Sequence, residues 1–459
     1  MMPHTPDPVE ADALARVILA GDTLRSDACE HPIRMVGSGL LVEADTGRIL
    51  HRHTGDGAAI TVRCRNRRAS VCRACSALYR LDAYHLVAAG LRGGKDTPAV
   101  VGERPRLFVT LTAPSFGTVH LGPAHDGTPR RCHHERRKGA NACGRWHLTG
   151  DPAIGTPLDP KHYDYTGQVL FNAHAGLLWR RLTIEVRRAL ARTAGLSRKK
   201  AHAQVRVVFA KVAEFQTRGC VHYHAIVRLD GPDGPGSAPP DWATVEVLET
   251  AIRHAAGTVH LASPATATVA ARDMRWGRHL DIQHLPSDDP DGSDVAIARY
   301  VAKYATKAAE FTGVTIAALF CRSCNGLGVR DGRDREEMLC RVCGGSGRRP
   351  GVNLSDLPAH GQALVQACWQ LGGIRAFASL RLRRWAHQAG YRGHVTTKSR
   401  SYSTTFAALR SERGEYNIAR HAQSLGIDPN ARQLIAVGDW RYVGDALRTP
   451  DPSLGGGRP

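Results

Sequence analysis

The middle of the chain alternates between strand-like and helix-like patterns of hydrophobic residues. The run RLFVTLTAP at 106–114 is rich in β-branched and apolar residues and ends in proline, which predicts a buried strand followed by a loop. Apolar residues recur on one side of 167–193, which predicts a long amphipathic helix. Two strands are predicted near 204–214 and 220–229, with a hairpin turn at 217–219 between them.

A second group of elements follows this hairpin. Residues 241–256 have the pattern of a helix, and HLDIQHL at 279–285 has that of a strand. The acidic loop at 286–294 is placed to cap a helix over 295–310. Elements in this order predict the α+β fold class, with an antiparallel sheet and flanking helices.

Changes of composition along the chain predict four regions. Residues 1–100 form an N-terminal region with grouped cysteines, and residues 101–312 form the central α+β domain. An insertion at 115–165 interrupts that domain and is rich in Gly, Pro, His and Arg. Residues 313–350 carry four further cysteines, and residues 351–459 are predicted to be mainly helical and basic.

The overall composition indicates a folded protein with a polyanionic partner. Hydrophobic residues make up 42% of the 459, which is enough for a packed core and excludes wholesale disorder. Lys and Arg number 62 against 42 Asp and Glu, a net charge of +20. An excess of this size favours DNA or RNA over an anionic membrane as the partner. The alternative is that a GC-rich genome supplies the arginines.

The sequence predicts a cytoplasmic protein. No stretch approaches the ~20 apolar residues of a membrane span, and the first residues lack the basic start and apolar core of a signal peptide. Disulfides are unfavourable in the cytoplasm, so the 12 cysteines indicate metal sites instead.

Two histidines in the segment VHYHAIVRL at 221–229 can share a metal ion. Side chains in a strand alternate faces, so His222 and His224 project to the same side, about 7 Å apart at their roots. Two imidazoles on one strand can hold a divalent ion and leave coordination positions open for a substrate. The pair is weak evidence by itself, because 23 histidines also produce a chance pair at His51 and His53.

The third ligand of this metal depends on the length of the hairpin turn. Glu214 precedes His222 by eight residues. A three-residue connection at 217–219 sets Glu214 opposite His222 on the same face, whereas a two-residue turn sets it on the other face. In the second case Gln216 is the alternative ligand.

The predicted helix IARYVAKYATKAAE at 297–310 repeats two residue types at helical spacing. Tyr300 and Tyr304 are four residues apart, as are Lys303 and Lys307, so each pair lies along one face. A tyrosine oxygen can attack a phosphodiester and form a phosphotyrosine linkage that conserves bond energy for rejoining. Its pKa is normally about 10, so nearby cations must favour the phenolate. The alternative is an ordinary amphipathic helix with aromatic anchors.

Together these segments resemble the motifs of rolling-circle replication initiators of the HUH endonuclease superfamily. FVTLTAP, EFQTRGCVHYH and YVAKYATK occur in the order of that family's three motifs. The two tyrosines resemble those of the gene A initiators of small isometric phages. Most of 60–410 resembles initiators of actinomycete plasmids and integrative conjugative elements, through CRNRRASVCRACSALYRLDAYHLV, YDYTGQVLFNAHAGLLWRRLTIEV and RLRRWAHQAGYRGHVTTKSRSYSTT.

The resemblance implies an HUH-type fold and a metal-dependent, site-specific single-strand DNA endonuclease and strand transferase. It implies that His222 and His224 hold Mg²⁺ or Mn²⁺ and that Tyr304 or Tyr300 attacks DNA, with the lysines assisting. Family members with one tyrosine place it directly after the lysine, which ranks Tyr304 first. The cysteine segment at 321–343 departs from the family pattern, as an insertion after the tyrosine helix.

Two units of the form C-x-x-C-x-G-x-G predict a zinc site. CRSCNGLG and CRVCGGSG supply four thiolates that suit one tetrahedral Zn²⁺, from Cys321, Cys324, Cys340 and Cys343. These units are similar to the zinc repeats of DnaJ-type chaperones. Four thiolates leave no open position, so the predicted role is structural or DNA-gripping.

Two further cysteine groups are candidate zinc sites, which brings the predicted number of Zn²⁺ ions to between one and three. Near the N-terminus, a knuckle is completed by a distant fourth ligand, in the set Cys64, Cys72, Cys75 and Cys29. The insertion offers Cys132, Cys143 and His147 together with His133 or His134. The alternative for the insertion is a flexible, positively charged loop. Cys220 and Cys368 lie in apolar runs and are predicted to be core residues.

The C-terminal region contains basic residues interleaved with an aromatic one. Such groups can contact phosphates and stack on bases, and the candidates are Arg381, Arg383, Arg384, Lys398, Arg400 and Tyr402. A solvated basic face is the alternative. GGK at 93–95 is not a nucleotide-binding loop, because Asp96 and Ala89 stand where that loop needs Ser or Thr and Gly. No nucleotide cofactor is therefore expected, and unwinding is assigned to a host helicase, with a host polymerase extending the end.

The predicted function is initiation of rolling-circle replication: the protein binds the double-strand origin, nicks one strand and rejoins it. One alternative with the same chemistry is a conjugative relaxase or a single-strand transposase. An alternative of another class is a noncatalytic zinc-dependent DNA-binding regulator, in which the histidines and tyrosines are structural.

Overall fold

A computed structural model describes residues 28–53, 60–124, 126–133, 142–287, 292–306, 318–331, 337–424, 426 and 434–445. Contacts group the chain into two compact units, one of residues 90–402 and one of residues 1–89 with 403–459. The four predicted regions stay a prediction, and region 351–459 is shared between the two units.

Helices are present at each of the three places where the central part of the sequence predicts one, 167–193, 241–256 and 295–310. In chain order they are α1 Arg73–Arg92, α2 Tyr165–Thr193, α3 Arg198–Gln204, α4 Val245–Thr258, α5 Ser293–Ala305, α6 Ala359–Leu371, α7 Leu382–Trp385 and α8 Phe406–Ser424. Side chains cap several first turns: Asp164 accepts a hydrogen bond from the backbone N–H of Gly167, and Thr244 accepts one from Val247.

The described strands fall into four sheets. In chain order they are β1 Ile33–Glu43, β2 Ile49–His53, β3 Ile60–Val62, β4 Arg106–Leu111, β5 Arg206–Phe215, β6 Val221–Asp230, β7 His260–Ser263, β8 Arg272–Arg275, β9 Leu280–His284, β10 Val329–Asp331, β11 Glu337–Leu339, β12 Thr396–Lys398 and β13 Leu434–Asp445. The pairs β7–β8 and β10–β11 form small separate sheets.

The unit of residues 90–402 is built on a five-stranded sheet of order β12-β5-β6-β4-β9, in which every neighbouring pair is antiparallel. One face of this sheet packs on α2, where the Trp179 ring contacts the rings of Phe209 and Tyr223 edge-on, at centroid distances of 5.0 and 5.9 Å. The predicted antiparallel sheet with flanking helices is therefore confirmed.

Helix α5 is joined to this sheet by a buried ion pair. Arg106 of β4 donates a hydrogen bond to Asp294, in the first turn of α5, at 2.8 Å. Arg106 also donates to the backbone oxygen of Pro286, in the loop that leads to α5. These bonds fix where the helix with the two tyrosines begins.

The other unit contains a sheet that the sequence analysis did not predict. Strand β1 pairs with β13, β2 and β3, all antiparallel, and α8 covers the sheet through Ile418 and Ala422, which contact Leu41 and Ala436. The prediction of a mainly helical C-terminal region missed the 12-residue strand β13. Its partner β1 lies almost 400 residues earlier in the chain, so local pattern alone could not reveal the pairing.

Cys220 and Cys368 are fully buried core residues, as predicted. Among the residues that the structure describes, no helix combines the length and apolarity needed to span a bilayer.

Candidate functional site

The hairpin β5–β6 has the three-residue turn that places Glu214 beside the two histidines. Backbone bonds from Gln216 to Cys220 at 2.9 Å and from Gly219 to Gln216 at 2.8 Å close a turn over 217–219. In the resulting register Glu214 is directly opposite His222. The alternative ligand Gln216 instead accepts a hydrogen bond from Arg218 at 2.9 Å.

The side chains of Glu214, His222 and His224 converge on one point. The Glu214 Oε2 atom lies 3.0 Å from His222 Nε2 and 2.8 Å from His224 Nε2. Although burial opposes it, the two imidazoles lower the pKa of Glu214 to about 2, so the group carries a negative charge. Burial lowers the pKa of His224, which favours the neutral imidazole that a metal ion requires.

The spacing of these three atoms fits a divalent ion. Ligands bound at right angles at about 2.1 Å from an ion lie about 3.0 Å apart, and the distances to Glu214 Oε2 match that value. All three ligand atoms lie within 4.8 Å of one another. Two imidazoles and one carboxylate leave part of an octahedral shell open.

Strand β4, the neighbour of β6 in the sheet, also contacts a histidine of this cluster. Thr110 is paired with His224 across the sheet, and its Oγ1 lies 3.0 Å from His224 Nδ1. This contact directs Nε2 toward Glu214. The Phe108 ring also stacks on the His224 ring at 5.8 Å between centroids. Thr110 was not predicted as a site residue, although its position in the strand FVTLTAP, which precedes the His-x-His hairpin, was a usable signal.

Helix α5 brings both tyrosines to the histidine cluster. The Tyr300 hydroxyl lies 3.1 Å from His224 Nε2. The ring of Tyr304 lies 4.7 Å from that of Tyr300 and 5.9 Å from that of His224, measured between centroids. Both tyrosines are half-buried beside an exposed Lys303, whose Nζ lies 5.5 Å from the Tyr304 ring centroid. Lys307 lies outside the described residues.

The two phenols are neutral in the metal-free site. Burial, followed by the negative charge of Glu214, raises the pKa of Tyr300 and of Tyr304. This differs from the expectation that neighbouring cations lower it, because the group facing the phenols is a carboxylate. A divalent cation bound to Glu214 would oppose that negative charge and favour the phenolate.

The paired C-x-x-C-x-G-x-G units meet as predicted. Cys321 Sγ lies 3.9 Å from Cys340 Sγ, and Cys324 Sγ lies 3.8 Å from Cys343 Sγ. Four sulfurs bound tetrahedrally at about 2.3 Å lie about 3.8 Å apart. Within each unit a glycine N–H points at sulfur: the backbone N–H groups of Gly328 and Gly347 donate to Cys324 and Cys343 at 3.3 Å.

The N-terminal cysteines also converge, and Cys29 takes the fourth position. Cys29 Sγ lies 3.9 Å from Cys72 Sγ and 3.7 Å from Cys75 Sγ, and Cys64 Sγ lies 3.7 Å from Cys75 Sγ. These are again the edges of a tetrahedron around a zinc-sized ion.

In the insertion the cluster has one member that differs from the prediction. Cys132, Cys143 and His147 are joined by His120, not by His133 or His134. The His133 ring instead lies against the backbone oxygen of Val119, and His134 is outside the described residues. His120 was missed because it precedes Cys132 by twelve residues and follows no ligand spacing.

The predicted DNA-binding residues of the C-terminal region divide into exposed and structural ones. Tyr402 was wrongly predicted to stack on DNA: it is fully buried, and the Arg228 guanidinium lies 5.1 Å from its ring centroid. Arg383 donates hydrogen bonds to the backbone oxygens of Trp369 and Gly326, and Lys398 donates to those of Ser399 and Arg400. Both therefore hold backbone in place.

Three predicted DNA-binding residues remain as candidates. Arg381 and Arg400 are exposed, and Arg384 is half-buried. These three guanidinium groups remain candidates for phosphate contacts, and their role stays a prediction.

Comparison with known proteins gives one consistent result. The profile of the family "Replication initiator protein, pSAM2" matches residues 19–454. The chain is 41% identical over 466 residues to a replication initiator protein of Streptomyces ambofaciens, and the match covers 98% of this chain and 92% of that protein. No solved structure matches the chain.

Proposed function

The chain belongs to the pSAM2 family of replication initiator proteins, and from that premise we propose that it starts rolling-circle replication by cutting one DNA strand. In this proposal it binds the double-strand origin, a tyrosine attacks the scissile phosphate, and the strand is rejoined after a round of synthesis. The five-stranded antiparallel sheet with His222 and His224 on its central strand β6 supports an HUH-type fold.

One observation carries the proposal: the Tyr300 hydroxyl lies 3.1 Å from His224 Nε2, one of three prospective ligand atoms of a divalent ion. This hydroxyl lies within reach of a phosphate held beside the three prospective ligands, which is where a nucleophile for strand cutting would be needed. A purely structural helix would not require two phenols turned toward a His, His, Glu cluster.

The chemistry follows from the groups in the site. Glu214, His222 and His224 would hold Mg²⁺ or Mn²⁺, which when bound polarises the phosphate and stabilises charge on the leaving oxygen. The tyrosine hydroxyl loses its proton, and its oxygen forms a bond to phosphorus as the bond from phosphorus to the 3′-oxygen breaks. The 3′-oxygen takes up a proton, and the products are a 5′-phosphotyrosine and a free 3′-hydroxyl.

Each tyrosine has a place in this sequence of reactions. The residue order still ranks Tyr304 as the first nucleophile, with Tyr300 accepting the strand in the second transfer. Lys303 is exposed beside Tyr304 and can pair with the phosphate. The free 3′-hydroxyl lets a host polymerase extend the cut strand, and a host helicase is the proposed source of unwinding.

Zinc is proposed as a structural cofactor in the cysteine clusters. The two sets of four thiolates have tetrahedral sulfur spacing and no position for a substrate. Each would fix loops that have no large hydrophobic core of their own.

The proposal is tested by incubating supercoiled DNA of the parent element with the protein and Mn²⁺. Nicked circles with protein covalently attached to a 5′-end support it, and mapping the nick locates the origin. A noncatalytic regulator would bind the same DNA without a covalent species, and that result would overturn the proposal. A relaxase or transposase would form the adduct at a transfer or element-end site instead.

A further inference from the structure

The insertion between β4 and α2 carries a surface that the proposed cutting reaction does not use. We propose that this insertion is a zinc-held module that binds single-stranded DNA by stacking a base on Trp146. The inference goes beyond the proposed function, because it needs no cut strand and no metal at Glu214.

The metal half of the proposal rests on four converging ligand atoms. His120 Nδ1 lies 3.2 Å from His147 Nε2 and 3.8 Å from Cys132 Sγ, and Cys143 Sγ lies 3.4 Å from His147 Nε2. Tetrahedral zinc with two nitrogens and two sulfurs gives edges of about 3.3 to 3.8 Å. Cys132 and His147 are buried although the surrounding loop is mostly exposed.

A carboxylate outside the cluster orients one of its ligands. Asp151 accepts a hydrogen bond from His147 Nδ1 at 2.7 Å, which leaves Nε2 with a lone pair toward the other three ligands. The backbone N–H of Leu121 also donates to Cys132 Sγ at 3.3 Å. Carboxylate–histidine and amide–sulfur contacts of this kind are typical of bound zinc.

The residues on either side of His147 form the surface proposed to bind DNA. His147 points inward, and the residues on either side point outward: Trp146 is 56% exposed and Leu148 is 74% exposed. Trp146 forms a backbone bridge with Arg131, so the two side chains share one face of this small hairpin. An indole held on a metal-anchored backbone loses little entropy when a base stacks on it.

The positive charge near Trp146 favours a nucleic acid as the ligand of this surface. Arg130, Arg131 and Arg145 are all exposed on the same loop pair. The Nε groups of Arg130 and Arg131 donate to the backbone oxygens of Gly122 and Gly144 at 2.6 and 3.1 Å, which holds these two side chains on the loop pair. An exposed indole that shares its face with one guanidinium group, on a loop pair with further exposed arginines, suits a nucleobase and its phosphates better than an apolar peptide.

The shape of the module selects a single strand over a duplex. In the described part of 115–164 the backbone forms isolated bridges and turns, so no helix or extended ribbon is presented to a major groove. Stacking on Trp146 requires an unpaired base.

The module lies beside the hairpin of the proposed active site. Gly155, at its end, approaches so closely that a Cβ there would collide with Thr217 in the β5–β6 turn. This contact joins the end of the insertion to the turn of the hairpin whose second strand carries His222.

The test measures binding of a fluorescent thymidine 20-mer and of a mixed-sequence duplex to the full-length protein by anisotropy. Trp146→Ala should weaken single-strand binding about 5- to 150-fold, whereas Trp146→Phe should stay within about threefold. Replacing Arg131 and Arg145 by Ala should lower the salt slope for the single strand by about 1.4. Tyr416→Ala, at another exposed aromatic, is the matched control and should change nothing.

The zinc readout is separate. His120→Ala and Cys143→Ser should each remove one equivalent of zinc and weaken single-strand binding as Trp146→Ala does. If both variants retain all their zinc, the metal half is overturned.

Three results would overturn the DNA half. Trp146→Ala could bind the 20-mer within twofold of the parent, or it could weaken duplex binding to the same extent. It could also change only the oligomeric state on gel filtration, which would assign the surface to contacts between copies. None of these results depends on strand cutting, so failure of the cutting reaction would leave the inference standing.

Discussion

Arg106 and Asp294 form an ion pair at 2.8 Å whose side chains are 1% and 4% exposed. The pair connects β4, which supports His224 through Thr110, to the first turn of the helix that carries Tyr300 and Tyr304. A buried charge pair therefore helps to fix the position of the tyrosines relative to the cluster of Glu214, His222 and His224.

Breaking this pair should destabilise the protein strongly. Arg106→Ala or Asp294→Ala leaves one buried charge without its partner, and the free energy of unfolding should fall by about 3–5 kcal/mol. Urea denaturation measures this. Arg275→Ala removes an exposed ion pair with Asp273 and should stay within about 0.5 kcal/mol. Equal effects at both pairs would show that burial does not matter here.

Removing a prospective metal ligand should abolish divalent-dependent strand cutting. His222→Ala, His224→Ala or Glu214→Gln should each lower the rate about a hundredfold or more, since the metal contributes several kcal/mol to the transition state. Duplex binding should remain near that of the parent. His254→Ala, at an exposed histidine, is the control. Full cutting by the variant lacking both His222 and His224 would disprove the assignment.

The tyrosines should divide the two transfers between them. Tyr304→Phe keeps the ring but removes the attacking oxygen, so the first covalent adduct should fall by three orders of magnitude or more, which is about 4 kcal/mol. Tyr300→Phe should spare that adduct and block release of the displaced circle. The assay uses a labelled single-stranded origin oligonucleotide, protease digestion and mass mapping of the adduct.

Tyr416→Phe is the control for the tyrosine variants, since Tyr416 is exposed and lies outside the cluster. The opposite pattern, with Tyr300→Phe losing the first adduct, would reverse the ranking. An adduct in the protein that lacks both hydroxyls would disprove tyrosine attack.

Each four-cysteine cluster should account for one zinc ion. Replacing Cys321 and Cys324 by Ser should lower the zinc content by one equivalent, and replacing Cys72 and Cys75 should lower it by another. Elemental analysis of purified protein measures both. Cys368→Ala removes a buried cysteine outside these clusters and should leave the content unchanged. Unaltered zinc in a cluster variant would disprove that site.

The charge of Glu214 predicts how the stability of the metal-free protein depends on pH. The two imidazoles lower the pKa of Glu214 from 4.5 to about 2. A depressed carboxyl pKa stabilises the folded state above pH 4.5, and this contribution disappears as the pH falls toward 2. Between pH 5 and pH 3 the parent should therefore lose more stability than Glu214→Gln, by about 1 kcal/mol or more. Parallel urea titrations of both proteins check this, and identical losses would contradict it.

Local periodicity was enough to predict the parts of the site. Alternation along a strand places His222 and His224 on one face of that strand. Helical spacing places Tyr300 and Tyr304 on one face of their helix. The cysteine spacing of the C-x-x-C units likewise predicts their convergence, because a knuckle is a local turn. The family was also recognisable from the order of these motifs, and the match over 19–454 confirms it.

Tertiary structure decided how these parts meet. Turn length brought Glu214 to His222, and the buried Arg106–Asp294 pair set the tyrosine helix against His224. It also placed His120 in the insertion cluster, buried Tyr402 under Arg228 and paired β13 with β1. Arg106 and Asp294, Arg228 and Tyr402, and β1 and β13 lie far apart in sequence, so no local pattern encodes their packing and burial. Glu214 and His120 lie closer to their partners, but their positions depend on turn and loop geometry that residue spacing alone leaves open.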